Sequence, residues 1–262
     1  MSTVLITGAS SGIGLATVEE VAASGRARVV ATVRREEDAR MVRERQRRLG
    51  HEVDTDLLDL ADHDQIDAVV ARHHPTAIVN VAGDAALGPV LAATPDDIRG
   101  LIDQHLVGPM RLATAAIPHL RASRGGRIVN VGSALARTSV PMTGWYSAIE
   151  AALTSLTESL RAELADEPID VVLVELGAVD TPAWDAATSP DGDTGSRWAC
   201  TTRLLRPLFA DPAATARTVA AAVLDEPPEP VYRAGFGPGV LAASGRLPRR
   251  LRARALEVLF GG

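Results

Sequence analysis

Val4-Leu5-Ile6-Thr7-Gly8-Ala9-Ser10-Ser11-Gly12-Ile13-Gly14 decides the fold. Three apolar residues make a short buried strand, and Gly8, Gly12 and Gly14 open a turn into a helix that begins near Leu15. A diphosphate must approach backbone N–H groups at a helix N-terminus closely, and a Cβ at those positions would block it. The strand before the glycines and the helix after them make this a dinucleotide site. Gly8, Ser10, Ser11, Gly12, Ile13 and Gly14 are the residues expected to line it.

Around that stretch, 262 residues suit one α/β domain covering 1–262 with a large core. Hydrophobic residues make up 46% and aromatics only 3%, so the core must be Ala, Val, Leu and Ile, as in a parallel sheet covered by helices. A net charge of −6 argues against nucleic acid as a partner. The single cysteine, Cys200, excludes an intramolecular disulfide and makes the cytoplasm the expected compartment. No apolar run is long enough to span a bilayer, the N-terminus reads as a strand rather than a signal peptide, and a soluble chain is expected. All 27 basic residues are arginine, which excludes a Schiff base or a titrating side-chain ammonium.

Strands are expected at 28–33, 51–60, 77–81, 127–131, 170–175 and 231–233. The second ends in Arg34-Arg35, where an NAD site would place an acidic residue on the ribose 2′-hydroxyl. Two guanidiniums fit a 2′-phosphate, so NADP(H) is favoured over NAD(H). The alternative is that both arginines open the basic helix continuing through Arg48. Small residues in Asn80-Val81-Ala82-Gly83 permit close approach to a nucleotide. One long helix is expected over 96–120, and another from Tyr146 carries Leu153, Leu156, Leu160 and Leu164 as an apolar stripe.

Thr7 to Gly14, Asp59-Leu60, Asn80 to Gly83, Ser133 and Tyr146 together resemble the short-chain dehydrogenase/reductase family along nearly the whole chain. The loop Gly177 to Thr181, with Val179, resembles that family's nicotinamide-side turn, although Leu176 stands where proline is common. The resemblance implies a Rossmann-type, doubly wound, seven-stranded parallel sheet with helices on both faces. It also implies a nicotinamide cofactor over the carboxyl edge of that sheet, touching Tyr146 and the residue four positions on. In the family a tyrosine exchanges a proton with the substrate oxygen, a serine hydrogen-bonds that oxygen, and a lysine lowers the tyrosine pKa and holds the ribose. An asparagine on the preceding helix supports a water that reaches the lysine. Here the lysine position is Glu150 and the asparagine position is His105.

Tyr146 and Glu150 lie one helical turn apart, so the carboxylate disfavours tyrosinate and raises the phenol pKa above about 10. His105 is the candidate to restore positive charge, as a proton relay oriented by Glu150; the alternative is that Glu150 only binds ribose and His105 fills space. The catalytic set is therefore Ser133, Tyr146, His105 and Glu150, and carbonyl reduction is the first expectation. A dehydratase, isomerase or cyclase keeping NADP structurally, and an inactive nucleotide-binding protein, stay open.

The stretch 183–207 reads as an irregular substrate lid in which Trp184 and Trp198 wall an apolar pocket or anchor the loop. Cys200 is placed in that loop as an incidental thiol. The basic amphipathic tail, 241–262, packs over a pocket or interface more readily than on a membrane. The helices from Asp96 and Tyr146 resemble those that build the family's homodimers and homotetramers. The six histidines show no metal spacing, and Ser133 is not in a nucleophile elbow.

Overall fold

The computed structural model describes residues 2–81, 83, 87–123, 125–138, 140–181, 197–238, 248, 250–251 and 254. Strand β1 (Ser2–Ile6) leads into α1 (Gly12–Ala23), followed by β2 (Ala27–Val33), α2 (Glu36–Arg48), β3 (Val53–Leu57), α3 (His63–His73) and β4 (Ala77–Asn80). Then come α4 (Pro95–Ile102), a π-turn (Asp103–Val107), α5 (Gly108–Ala122), β5 (Gly126–Ser133) and α6 (Gly144–Glu163). The described chain continues through β6 (Ile169–Leu176), α7 (Arg197–Leu205), α8 (Pro212–Leu224) and β7 (Val231–Ala234). The seven strands form one parallel sheet in the order β3-β2-β1-β4-β5-β6-β7. Chain order reverses between β1 and β4, so a crevice opens beyond their carboxyl ends.

Both faces of the sheet are covered, which is why its strands read as continuous apolar runs. One core packs Val4, Ile6, Val29, Val172 and Val174 against Val18 and Val21 of α1 and Val219 and Val223 of α8. The other packs Leu5, Ile78, Ile128 and Val171 against Ile66 and Val69 of α3 and Leu112 and Leu120 of α5.

Several expectations are corrected. The helix expected over 96–120 is interrupted by the π-turn: Pro109 has no N–H for the carbonyl of His105, and Gly108 N–H bonds to Asp103 O instead. The third strand stops at Leu57, leaving Asp59 and Leu60 in the turn beyond it. Leu156 is 41% exposed, because it lies about 60° off the line of Leu153, Leu160 and Leu164 around the helix. Thr157 takes the buried position and accepts a hydrogen bond from Asn130. Residues 197–205, expected to be irregular, form α7, and Cys200 is helical rather than in a loop. No glycine or proline interrupts Arg197 to Leu205. The lid stretch 183–196, including Trp184, and nearly all of the tail 241–262 lie outside the described residues.

Candidate active site

The turn after β1 is built around close approach. Gly8 and Gly12 hold φ of +63° and +53°, a left-handed conformation that side chains resist. A Cβ on Gly14 would stand 2.1 Å from Gly8 O, so only glycine lets α1 start against the turn. Ser11 N-caps α1 in an extended conformation without a side-chain hydrogen bond, and the first turn carries no acid. Its N–H groups therefore point at the crevice with their partial positive charge uncapped by a side chain. Thr7 braces the turn by donating from its hydroxyl to Val79 O at 3.3 Å and accepting from Val81 N at 3.0 Å.

A cavity of about 190 Å³ runs over this turn. Its lining includes Gly8, Ser10 to Gly14, Thr32, Arg34, Asp59, Leu60, Gly83 and Thr181, together with Gln104, which sequence reasoning did not single out. Asp59 is fixed by accepting from Ala61 N at 3.0 Å. Arg35 does not line it; its guanidinium forks onto Asp38 at 2.8 and 3.0 Å on the outer side of α2. Asn80 is not brought to the crevice either. It is 3% exposed and donates to Asn130 Oδ1 at 2.8 Å, tying β4 to β5 from within. Ala82 lies outside the described residues.

Ile13, Val81, Gly83 and Thr181 are shared with an adjoining cavity of about 200 Å³. Ser133, Tyr146, His105 and Glu150 meet there, with Gly177 and Val179 opposite and Leu87 and Leu135 as apolar wall. Gly177 is pinned by its N–H to Ala234 O at 2.8 Å. Ser133, at the end of β5, accepts from Leu135 N at 3.1 Å. The wider spacing of the π-turn faces Gln104 and His105 into the cavities, and His105 meets Tyr146 edge-on with ring centroids 5.7 Å apart. His105 Nδ1 lies 3.2 Å from Glu150 Oε1, and both residues are buried. Gly83 makes room for that imidazole: a Cβ there would stand 2.1 Å from it.

Glu150 Oε2 is buried and accepts no hydrogen bond from any described residue. Burial, and then the Glu150 charge, push the Tyr146 phenol far above its ordinary pKa; its hydrogen bond with Ser133 pulls weakly the other way. The group at the wall is therefore a proton-bearing phenol. A groove of about 650 Å³ lined by Leu101, Gln104 and Trp145 shares Leu87 with this cavity. Trp145, adjacent to Tyr146, was missed by sequence reasoning, which looked for aromatic walls at Trp184 and Trp198. Trp198 lies on α7. Among the described residues no three His, Cys, Asp or Glu side chains are grouped to hold a metal ion.

Residues 2–191 match the short chain dehydrogenase family. A 3-amino-tetrahydro-pyrrolizinone reductase of Xenorhabdus hominickii is 32% identical over 70% of this chain and 63% of its own length. An NADPH-dependent 3-dehydrocapnine reductase of Ornithobacterium rhinotracheale is 30% identical over 71% of this chain and 68% of its own. The match thus spans roughly two thirds of these relatives. A short-chain dehydrogenase from Sphingobium yanoikuyae, solved in complex with NADPH, superposes with a TM-score of 0.75 at 25% identity, covering 98% of this chain and 93% of that one. Sheet order, glycine turn and family match agree: the chain belongs to the short chain dehydrogenase family.

Proposed function

We propose that this chain is an NADP(H)-dependent oxidoreductase that reduces the carbonyl group of a bulky apolar small molecule. The observation that carries this reading is the meeting of Ser133 and Tyr146 in a cavity that shares four residues, Ile13, Val81, Gly83 and Thr181, with the glycine-lined crevice. Two relatives named as reductases, one of them NADPH-dependent, and the NADPH complex of the Sphingobium enzyme support the choice of nucleotide.

The residues fit that nucleotide. The N–H groups opening α1 suit a diphosphate, Arg34 suits a 2′-phosphate, and Asp59, which lines the same crevice, suits the adenine. Glu150 lines the adjoining cavity, and its carboxylate suits a ribose hydroxyl. When bound, NADPH supplies the hydride for the substrate carbon. Ser133 orients the carbonyl oxygen and Tyr146 donates its proton to it. The tyrosinate left behind would face Glu150, and His105, hydrogen-bonded to Glu150, is placed to return a proton. Burial and charge both hold the phenol protonated, which favours reduction over alcohol oxidation. Leu87 and Trp145 supply apolar surface for the substrate.

Comparing dissociation constants for NADPH and NADH tests the nucleotide assignment. NADPH is expected to bind at least about tenfold tighter, with Arg34→Ala removing most of the difference. Equal affinities in the native protein would contradict it.

A further inference from the structure

We infer that this site also reduces a cationic C=N substrate, an iminium ion, and binds it more tightly than a neutral carbonyl of similar size; this rests on the reading of the chain as an NADPH-dependent reductase. The carrying observation is the Glu150 carboxylate. It is 3% exposed, holds His105 through Oε1, and leaves Oε2 buried without a donor among the described residues. Oε2 is packed over β5, 3.2 Å from where a Cβ on Gly132 would stand. The chain contains no lysine. No arginine is among the described residues lining this cavity, whose other titratable groups are His105 and Tyr146. Glu150 is thus the only acidic side chain among the described residues lining this cavity, and a low-dielectric wall strengthens the field of a carboxylate there.

A neutral carbonyl uses that field badly. Its reduction builds negative charge on oxygen beside a carboxylate, and the proton it needs leaves a tyrosinate facing that same carboxylate. An iminium carbon needs neither step. It accepts a hydride equivalent from NADPH, the C=N π pair becomes the nitrogen lone pair, and a neutral amine and NADP⁺ result with no proton taken up. One positive charge is present before the transfer, on the substrate, and one after it, on the oxidised nicotinamide. A single preorganised carboxylate matches both. Tyr146 and Ser133 then serve as polar wall rather than as proton donors. The substitution of a carboxylate for the family's cation thus acquires a chemical reason.

The probes are the permanently charged N-methyl iminium salt of dihydroisoquinoline and tetralone, a neutral bicyclic ketone of similar size. Calorimetry should show the cation binding to the native protein at least about tenfold tighter than to Glu150→Gln, which keeps the shape and removes the charge. In NADPH-dependent turnover, Glu150→Gln should lower the rate of iminium reduction relative to tetralone reduction about tenfold. Equal binding of the cation to native protein and to a Glu150→Gln variant folded by circular dichroism would overturn the inference. So would an unchanged ratio of iminium to tetralone reduction in that variant. NADPH binding, measured separately, distinguishes the layers. Tight NADPH with no affinity for the cation overturns this inference alone, and absence of NADPH binding overturns the reductase reading beneath it.

Discussion

At the scale of single residues, Glu150 is the charge that acts on Tyr146. Four positions from Tyr146 on α6, its charge adds to burial in holding the phenol protonated. The chain has two tyrosines, and the second, Tyr232, is also raised, by burial and by its bond to Asp225. Ultraviolet titration of the folded native protein should therefore show less than half of its tyrosine ionised at about pH 10, the usual phenol midpoint. Glu150→Gln should bring one of the two transitions down without reaching that midpoint, because burial, the larger cause, remains. A native transition at the ordinary phenol pKa would refute this account of Tyr146. The pairing of Glu150 with Tyr146 was legible in sequence because helical spacing fixes which side chains face each other. The inward turn of Asn80 was not, since its partner Asn130 sits fifty residues away on the neighbouring strand. Nor was the pairing of Arg35 with Asp38, which leaves Arg34 as the arginine lining the nucleotide cavity.

At the scale of elements, the glycine turn and α1 act as one unit, and its reading from sequence needed only sterics. Gly14→Ala forces a methyl to within 2.1 Å of the Gly8 carbonyl. Relief requires α1 to move off the turn, at a cost of about 2 kcal/mol and with most nucleotide affinity lost. Thermal melts and NADPH titration of that variant check both effects; unchanged binding would show that the turn does not cradle the nucleotide. The π-turn was the least legible element. Apolar periodicity runs through 96–120 without announcing the change of spacing, and only Pro109, which denies His105 O its usual partner, marks the place. Because that turn sets the facing of Gln104, its contribution to the nucleotide cavity was hidden until the helix was seen. The α7 helix is masked in the sequence for another reason: glycines and prolines fill the stretch before it, although none lies within Arg197 to Leu205.

At the scale of the whole molecule, parallel pairing brings the carboxyl ends of β1, β4, β5 and β6 to one edge, so segments distant in sequence supply one continuous crevice. That architecture was legible from the glycine turn, the alternation of apolar runs with helices, and the resemblance built on them. No helix among the described residues is long and apolar enough to cross a membrane. The fold alone does not distinguish hydride transfer from acid–base chemistry around a retained nucleotide, because both need the same crevice and the same Ser133–Tyr146 pair. The isotope content of the product does. NADPH carrying deuterium at both positions of nicotinamide C4 should give a product containing one deuterium on the reduced carbon. A product formed with no deuterium would contradict the account and make the nucleotide a structural passenger.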